Sequence, residues 1–223
     1  MTLLTPSLPE LLTAWLPQQR WFPAKGRDIT LDRVGGVRLS DPSGLAELEV
    51  HLIAVASGQR TDIISVPVSY HGAEVPGLGA ALLGRVQHET LGERWLYDGA
   101  ADPVFVTAWL ELMRTSSSSL DGHTHGVAVG GFDQWPPFGA TVPAKLMKGE
   151  QSNTSVVVPV APSQLIVKFY RVLAAGESPD VQVSASLTAA GSRDVPATLG
   201  WVTGSWRDPE ADGDGNGWVS GHL

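Results

Sequence analysis

The stretch LAELEVHLIAVASGQRTDIISVPVSY, residues 45–70, decides the fold of the first half of the chain. It contains two runs that alternate between apolar and polar side chains, which is the period of a β-strand with one buried face. The apolar positions that share a face are Leu48, Val50 and Leu52 in the first run, and Ile64, Val66, Val68 and Tyr70 in the second. The polar SGQR segment at residues 57–60 predicts a hairpin loop between them.

Three segments predict helices, and each begins with a helix-capping signal. Residues 7–16 open with an S-x-x-E capping box and carry an apolar stripe at helical spacing. Residues 102–113 and 178–190 open with Asp-Pro and Ser-Pro, which places a polar N-cap before a proline at the first helical position. The chain therefore combines hairpins with a few short helices.

The composition excludes several classes of protein. The chain has 223 residues, 43% of them apolar, and a net charge of −8, which argues against binding to duplex nucleic acid or to an anionic membrane surface. It contains no cysteine, so disulfides, thiolate metal sites and cysteine nucleophiles are excluded. Because no apolar run is long enough to span a bilayer and the N-terminus lacks a basic secretory start, we predict a cytoplasmic protein.

The second half of the chain predicts a β-rich unit with one helix. Its strand candidates are residues 142–147, 154–159, 164–170, 198–206 and 218–223. Four consecutive serines, residues 116–119, predict a flexible break and the main internal boundary. We expect an α+β protein with an N-terminal domain at residues 1–98, a connecting segment at 99–135 and a second domain at 136–223. The first domain is expected to hold an antiparallel sheet with flanking helices.

Two short motifs resemble parts of metal sites, and each lacks ligands. The DGDGNG segment at residues 212–217 matches the first half of an EF-hand calcium loop, but its twelfth position is Leu223, where a bidentate Glu is required. In DGHTH, residues 121–125, two imidazoles would lie on one side of an extended strand, without a third ligand nearby in the sequence. A solvated polar loop is the simpler interpretation of both, and we predict no metal ligand.

A third motif joins a loop of small residues to a lysine within a strand. The loop contains Gly149, Ser152, Asn153, Thr154 and Ser155. Such a loop can turn its N–H groups and hydroxyls towards phosphate oxygens. In the strand that follows, alternation places Lys168 on one face with Ile166 and Tyr170, and a cation inside a small sheet needs an anionic partner from the protein or from a ligand. The alternative is a polar turn followed by a strand with an edge lysine.

These residues resemble the N-terminal part of actinobacterial maltokinases. The blocks that carry the resemblance are RWFPAKGR at 20–27, DPVF at 102–105, GEQSNTS at 149–155, IVKFYR at 166–171 and GESPDV at 176–181. The first is similar to the signature of the family's cap domain, the second to the region that joins the cap to the kinase, and the others to the kinase N-lobe.

The resemblance implies a fold like that of eukaryotic protein kinases and aminoglycoside phosphotransferases. The family transfers the γ-phosphoryl group of ATP to the anomeric hydroxyl of maltose, giving maltose 1-phosphate for glycogen and α-glucan synthesis. By this resemblance the cofactors are ATP and magnesium, and Lys168 is the strand lysine that pairs with the α- and β-phosphates. The loop residues that would cover the phosphates are Ser152, Asn153, Thr154 and Ser155.

Two departures from the family pattern bear on activity. The helix that should supply a Glu to the lysine has Gln182 at the matching position, and Asp180 is a substitute in a different register. No catalytic loop or magnesium-binding Asp motif precedes Leu223. We therefore expect a cap and an N-lobe that are truncated before the C-lobe. This chain is expected to be inactive alone and to phosphorylate maltose only together with a C-lobe.

The sequence leaves other functions open. The chain could be a non-catalytic docking module, with a kinase C-lobe or an enzyme of the trehalose and maltose pathway as its partner. In that interpretation Arg20, Trp21 and Phe22 would form a protein contact at the surface. The alternative for this patch is that the rings of Trp21 and Phe22 fill the core of the cap. A third hypothesis is a piece of a glucosamine kinase of the same fold.

Overall fold

The computed structural model describes residues 4–41, 43–139, 141–149, 152–210 and 217–223. Its first half contains β1 (Leu4–Thr5), α1 (Leu8–Trp15), β2 (Thr30–Leu39), β3 (Ala46–Ser57), β4 (Arg60–His71), β5 (Leu82–His88), β6 (Gly92–Asp98) and α2 (Pro103–Arg114). Its second half contains β7 (Thr124–Ala128), β8 (Lys145–Leu146), β9 (Asn153–Val160), β10 (Ser163–Tyr170), β11 (Val172–Leu173), α3 (Pro179–Ala189), β12 (Gly200–Arg207) and β13 (Trp218–His222). The predicted α+β class is confirmed.

An antiparallel sheet of seven strands dominates the first half. Its order is β1-β5-β6-β4-β3-β2, and β11 from the second half pairs with β4. The predicted hairpin is confirmed, because β3 and β4 pair from Ala46↔His71 to Ser57↔Arg60. β6 pairs with one end of β4 and β11 with the other, so the chain returns to this sheet after leaving it.

The two faces of this sheet border two different cores, whereas the alternation of the hairpin predicts one buried face for each strand. Leu48, Val50 and Leu52 point into a larger core that also receives α2. Ile64, Val66, Val68 and Tyr70 point into a smaller core beneath α1. The β3–β4 hairpin thus buries both of its faces, one in each core.

Two further antiparallel sheets of three strands complete the fold. One has the order β10-β9-β8 and the other β13-β12-β7. The inner faces of both sheets contribute to the larger core, through Val156, Val167 and Phe169 from the first sheet and Val202 and Trp206 from the second. That core draws on residues of all three predicted segments, whose boundaries stay a prediction.

Some elements of the structure differ from the predicted ones. Of the predicted strand 142–147 only Lys145–Leu146 is a strand, because Pro143 has no N–H and the N–H of Val142 donates to Thr107. The serines expected to form a flexible break instead hydrogen-bond to β7, for example from Ser119 N to the Thr124 carbonyl at 2.9 Å. Strand β2 was not predicted, since adjacent glycines and a bulge after Arg33 interrupt its alternation.

Candidate functional site

The open face of the β8–β9–β10 sheet brings the predicted lysine and the predicted loop together. In the register of β9 and β10, Lys168 lies directly opposite Ser155, and Ile166 opposite Val157. Paired residues in an antiparallel sheet share a face, and the inner face is occupied by buried valines and Phe169. Lys168 is therefore on the outer face with Ile166 and Tyr170, as the alternation predicts.

Lys168 forms an ion pair with the helix that follows its strand. Its Nζ lies 2.7 Å from Asp180 Oδ2, and 5.5 Å from the centre of the Tyr170 ring. Asp180 lies in the first turn of α3, where the helix dipole favours a carboxylate. Gln182, the position expected to pair with Lys168, donates from Nε2 to Glu177 Oε2 instead. The helix thus supplies a carboxylate to the lysine from two residues nearer its N-terminus than the resemblance implies.

The predicted phosphate loop divides between the two faces of the sheet. Ser155 is buried on the side of Lys168, and Asn153 lies on that side as well, opposite Tyr170. Thr154 faces the other way, and its hydroxyl accepts a hydrogen bond of 2.7 Å from Arg171 Nε. Ser152 is exposed before the strand begins, and Gly149 has a φ of +124°, which favours glycine. Residues 150 and 151 lie outside the described residues.

Apolar side chains lie on the same open face as Lys168, where Lys145 is paired with Val157. Ile166 is 58% exposed and Met147 is 45% exposed, and the Met147 N–H donates to the Ser155 carbonyl at 2.9 Å. With Val157 opposite Ile166, these side chains form an apolar surface beside a cation. Exposed apolar patches next to placed polar groups are typical of ligand sites.

A cavity of about 750 Å³ separates α3 from β12 and β13. His123, His125 and His222 line it, together with Trp201 and Gln182. His123 stacks on Trp218, His125 contacts the Ser118 hydroxyl at 2.8 Å, and His222 Nδ1 accepts from the Ser178 N–H at 2.9 Å. Burial lowers the pKa of His222.

The two motifs that were compared with metal sites remain without a metal assignment. The His123 and His125 rings share a cavity but contact different partners. Within the described ranges, no group of three or more His, Asp or Glu side chains is arranged to hold a metal ion. The EF-hand-like segment at residues 212–217 lies outside the described residues except for Gly217.

A second cavity, of about 800 Å³, lies between α1 and the hairpin sheet. At its floor His51 Nε2 lies 2.7 Å from the Tyr70 hydroxyl and 3.4 Å from Glu49. Burial lowers the pKa of His51 to about 4 and raises the pKa of the Tyr70 hydroxyl above its ordinary value. The imidazole is therefore neutral at physiological pH, and Glu49 is paired with Arg38 at 2.7 Å.

The N-terminal aromatic patch is part of the core rather than the surface. Trp21 is 8% exposed and Phe22 is 4% exposed, and Trp21 makes edge contacts with Trp15 and Phe22. Of the two interpretations of this patch, the structure supports the one in which the rings fill the core.

Residues 15–102 match the family model of the maltokinase N-terminal cap domain. The chain has a maltokinase-like N-terminus. The matched region runs from the end of α1 to Asp102, the N-cap of α2, and so contains the hairpin, the patch around Trp21 and strands β5 and β6. Among the described helices none is long and apolar enough to cross a membrane.

The motifs assigned no contact to Arg171, which the structure places between the cap and β9. Its guanidinium contacts Thr154, Asp98 and the ring of Trp21 and is fully buried. The sequence held one signal, since Arg171 ends the FYR block of the resemblance, directly after an apolar strand.

Proposed function

We propose that the β8–β9–β10 sheet and α3 bind ATP as the N-lobe of a maltokinase-type sugar kinase whose cap is formed by residues 15–102. In the proposed reaction the γ-phosphoryl group of ATP passes to maltose and gives maltose 1-phosphate for α-glucan synthesis. The catalytic loop would come from a C-lobe, in the same polypeptide or in a partner. The proposal has two supports, the cap match and the geometry around Lys168.

The single observation that carries the proposal is the ion pair between Lys168 and Asp180. In kinases a strand lysine paired with a helix carboxylate holds the α- and β-phosphates. Here the side chain of Lys168 is 36% exposed and that of Asp180 is 63% exposed, and pairs of this kind contribute about 0.2–1 kcal/mol to stability. The pair with Asp180 therefore contributes little to stability, and its exposed geometry leaves the ammonium group accessible to a phosphate.

The neighbouring residues fit the remainder of a nucleotide. The apolar surface of Met147, Val157 and Ile166 offers a flat contact for a base, on the same face as the cation. The start of β9 lies beside Lys168, because Ser155 is directly opposite it. Ser152, Asn153 and Ser155 would then contact phosphate oxygens, whereas the Thr154 hydroxyl is engaged by Arg171.

In this mechanism the residues of the chain position the phosphates and neutralise their charge. Lys168 would offset negative charge on the α- and β-phosphates, and Asp180 would hold the ammonium group in place between turnovers. Magnesium would arrive with the nucleotide phosphates and neutralise the charge that develops on them. We assign no residue of the described ranges to its coordination.

The test is a complementation assay with the C-lobe of a maltokinase. Radiolabelled ATP and maltose are incubated with the chain and the C-lobe, and labelled maltose 1-phosphate is quantified. We expect Lys168→Ala to reduce the rate about tenfold or more, because it removes a group that stabilises the transferring phosphates. Lys25→Ala, the same charge change in the exposed part of the cap, is the control and should keep the wild-type rate.

Two outcomes would count against the proposal. Equal rates for the wild type and Lys168→Ala would remove the role of the lysine, and product formed from glucosamine but not from maltose would reassign the acceptor. The alternative function, a docking module, keeps only Arg20 of its predicted contact at the surface, because Trp21 and Phe22 are buried.

A further inference from the structure

Arg171 lies at the point where the chain passes from the nucleotide-binding sheet to the cap sheet. It follows the last residue of β10 and precedes β11, which pairs with β4 of the cap. Its carbonyl accepts a hydrogen bond of 2.9 Å from the N–H of Ser65, also on β4. The backbone of Arg171 is therefore fixed to the cap, three residues after Lys168.

The side chain of Arg171 joins the same two parts of the molecule. Nη2 donates to both carboxylate oxygens of Asp98, at 2.8 and 2.6 Å, and the guanidinium carbon lies 4.9 Å from the centre of the Trp21 ring. Nε donates to the hydroxyl of Thr154 at 2.7 Å. Asp98 and Trp21 belong to the matched cap region, whereas Thr154 is the second residue of β9.

A fully buried guanidinium is costly unless its charge and its N–H groups are paired. The side chain of Arg171 has 0% exposure, and within the described residues its Nη1 has no hydrogen-bond partner. Aliphatic side chains could fill the same space in the core without this cost. What an aliphatic side chain cannot do is hold three partners from separate segments in one fixed planar arrangement.

We infer that Arg171 is a positioning residue through which the cap fixes the phosphate loop and the strand of Lys168. The guanidinium sets the distance between β9 and the cap by bonding to Thr154 on one side and to Asp98 and Trp21 on the other. A change in the cap beside Arg171 would then be transmitted to β9. The part of this inference that concerns ATP rests on the function proposed above.

The inference also gives the tryptophan of the RWFPAKGR patch a role that core packing alone does not explain. Trp21 supplies the aromatic face against which the guanidinium lies, an arrangement that stabilises a desolvated cation. A substitution of Trp21 should therefore change the amide exchange of β9, which lies more than 130 positions away in the sequence.

The test measures amide hydrogen exchange of residues 153–156 by mass spectrometry on the whole chain without ligand. Thr154→Val keeps the shape of the side chain and removes the acceptor for Arg171, whereas Thr154→Ser keeps the hydroxyl. We expect exchange about tenfold faster in Thr154→Val and close to wild type in Thr154→Ser. The cap peptides should exchange at the wild-type rate in both variants.

A second pair of variants approaches the link from the cap. Trp21→Leu removes the aromatic face beneath Arg171, and Leu12→Ala perturbs the same core without touching Arg171. Only Trp21→Leu should speed exchange in β9. Arg171→Lys keeps the charge opposite Asp98 but loses the planar fork, so it should resemble Thr154→Val rather than the wild type.

The kinase assay separates positioning from stability. A loss of folded protein lowers the maximal rate and leaves the KM for ATP unchanged, whereas a displaced phosphate loop raises that KM. We expect a raised KM for ATP in Thr154→Val and Trp21→Leu, and an unchanged one in Thr154→Ser and Leu12→Ala.

Equal exchange in Thr154→Val and Thr154→Ser, or in Trp21→Leu and Leu12→Ala, would overturn the inference. Wild-type exchange in β9 of Arg171→Lys would do so as well, because charge alone would then suffice. If the exchange pattern is as expected but no ATP-dependent activity is found, the proposed function fails and the link between cap and β9 stands.

Discussion

The helices α2 and α3 start with the same kind of capping sequence, but α2 is buried and α3 lies at the surface. Each has a polar N-cap followed by proline, and they contain twelve and eleven residues. In α2 nine residues are buried, whereas α3 has no buried residue in the described structure. The start signals are local and identical in kind, so the difference comes from the rest of each helix, which has an apolar face in α2 and none in α3.

This difference separates a helix that is part of the core from one that lies at the surface beside the proposed ATP site. The ring of Phe105 in α2 contacts Trp109 and Phe169, which lets α2 join the first half of the chain to β10. The polar side of α3 supplies Asp180 to Lys168, and its other side borders a cavity. We expect changes in α2 to alter stability and changes in α3 to alter function.

The largest difference in stability between the two helices is expected when Phe105, through which α2 contacts Phe169 of β10, is truncated. Phe105→Ala should lower the free energy of unfolding by about 3–5 kcal/mol, because it leaves a cavity at a fully buried site. Val183→Ala in α3, where the side chain is 58% exposed, should change it by no more than about 0.5 kcal/mol. Denaturant unfolding followed by tryptophan fluorescence measures both, and similar losses would contradict the comparison.

The second effect is the loss of stability at low pH, which we expect from His51 in the cap more than from His222 beside α3. His51 has a folded pKa of about 4 against an ordinary value of 6.5, so below pH 6.5 the unfolded chain binds a proton that the folded chain does not. The contribution of His51 to the free energy of unfolding is therefore complete above pH 6.5, and about 3 kcal/mol of it is lost as the pH drops to 4. Glu49 and Arg33 are the charged groups that act on the imidazole, in opposite directions.

The measurement is the free energy of unfolding between pH 7.5 and 4. His51→Gln should flatten its decline, while His222→Gln should leave most of the decline in place, since His51 is the more deeply buried of the two histidines. A steep decline that survives in His51→Gln would show that other groups cause it.

The smallest effect concerns the two N-caps. Asp102 accepts from the Val104 N–H at 2.9 Å and contacts His71 Nε2 at 2.6 Å, and it is 1% exposed. Asp102→Ala should cost about 2 kcal/mol, since it removes a cap and leaves a buried histidine unpaired. Ser178 makes no side-chain cap hydrogen bond, so Ser178→Ala should be close to neutral. Thermal unfolding of both variants checks this, and equal shifts would mean that the two caps are equivalent.

Much of the fold could be predicted, because strand and helix periods are local properties. The hairpin of residues 45–70, the start of α2 and the shared face of Ile166, Lys168 and Tyr170 all follow from spacing over a few positions. Elements without a clean period were missed or misplaced. β2 is interrupted by glycines and a bulge, and Pro143 breaks the run at residues 142–147.

The sequence by itself determined which residues share a face and where helices begin, and it placed Lys168 on one face of its strand with Ile166 and Tyr170. Only the tertiary structure decided that Asp180 rather than Gln182 meets the lysine, and that Thr154 turns away from Ser155 towards Arg171. It also decided that Arg171 meets Asp98, 73 positions away in the sequence. Local periodicity fixes the direction of a side chain, but its partner depends on how distant segments pack, and the charge of a buried arginine is compensated only once those segments have met.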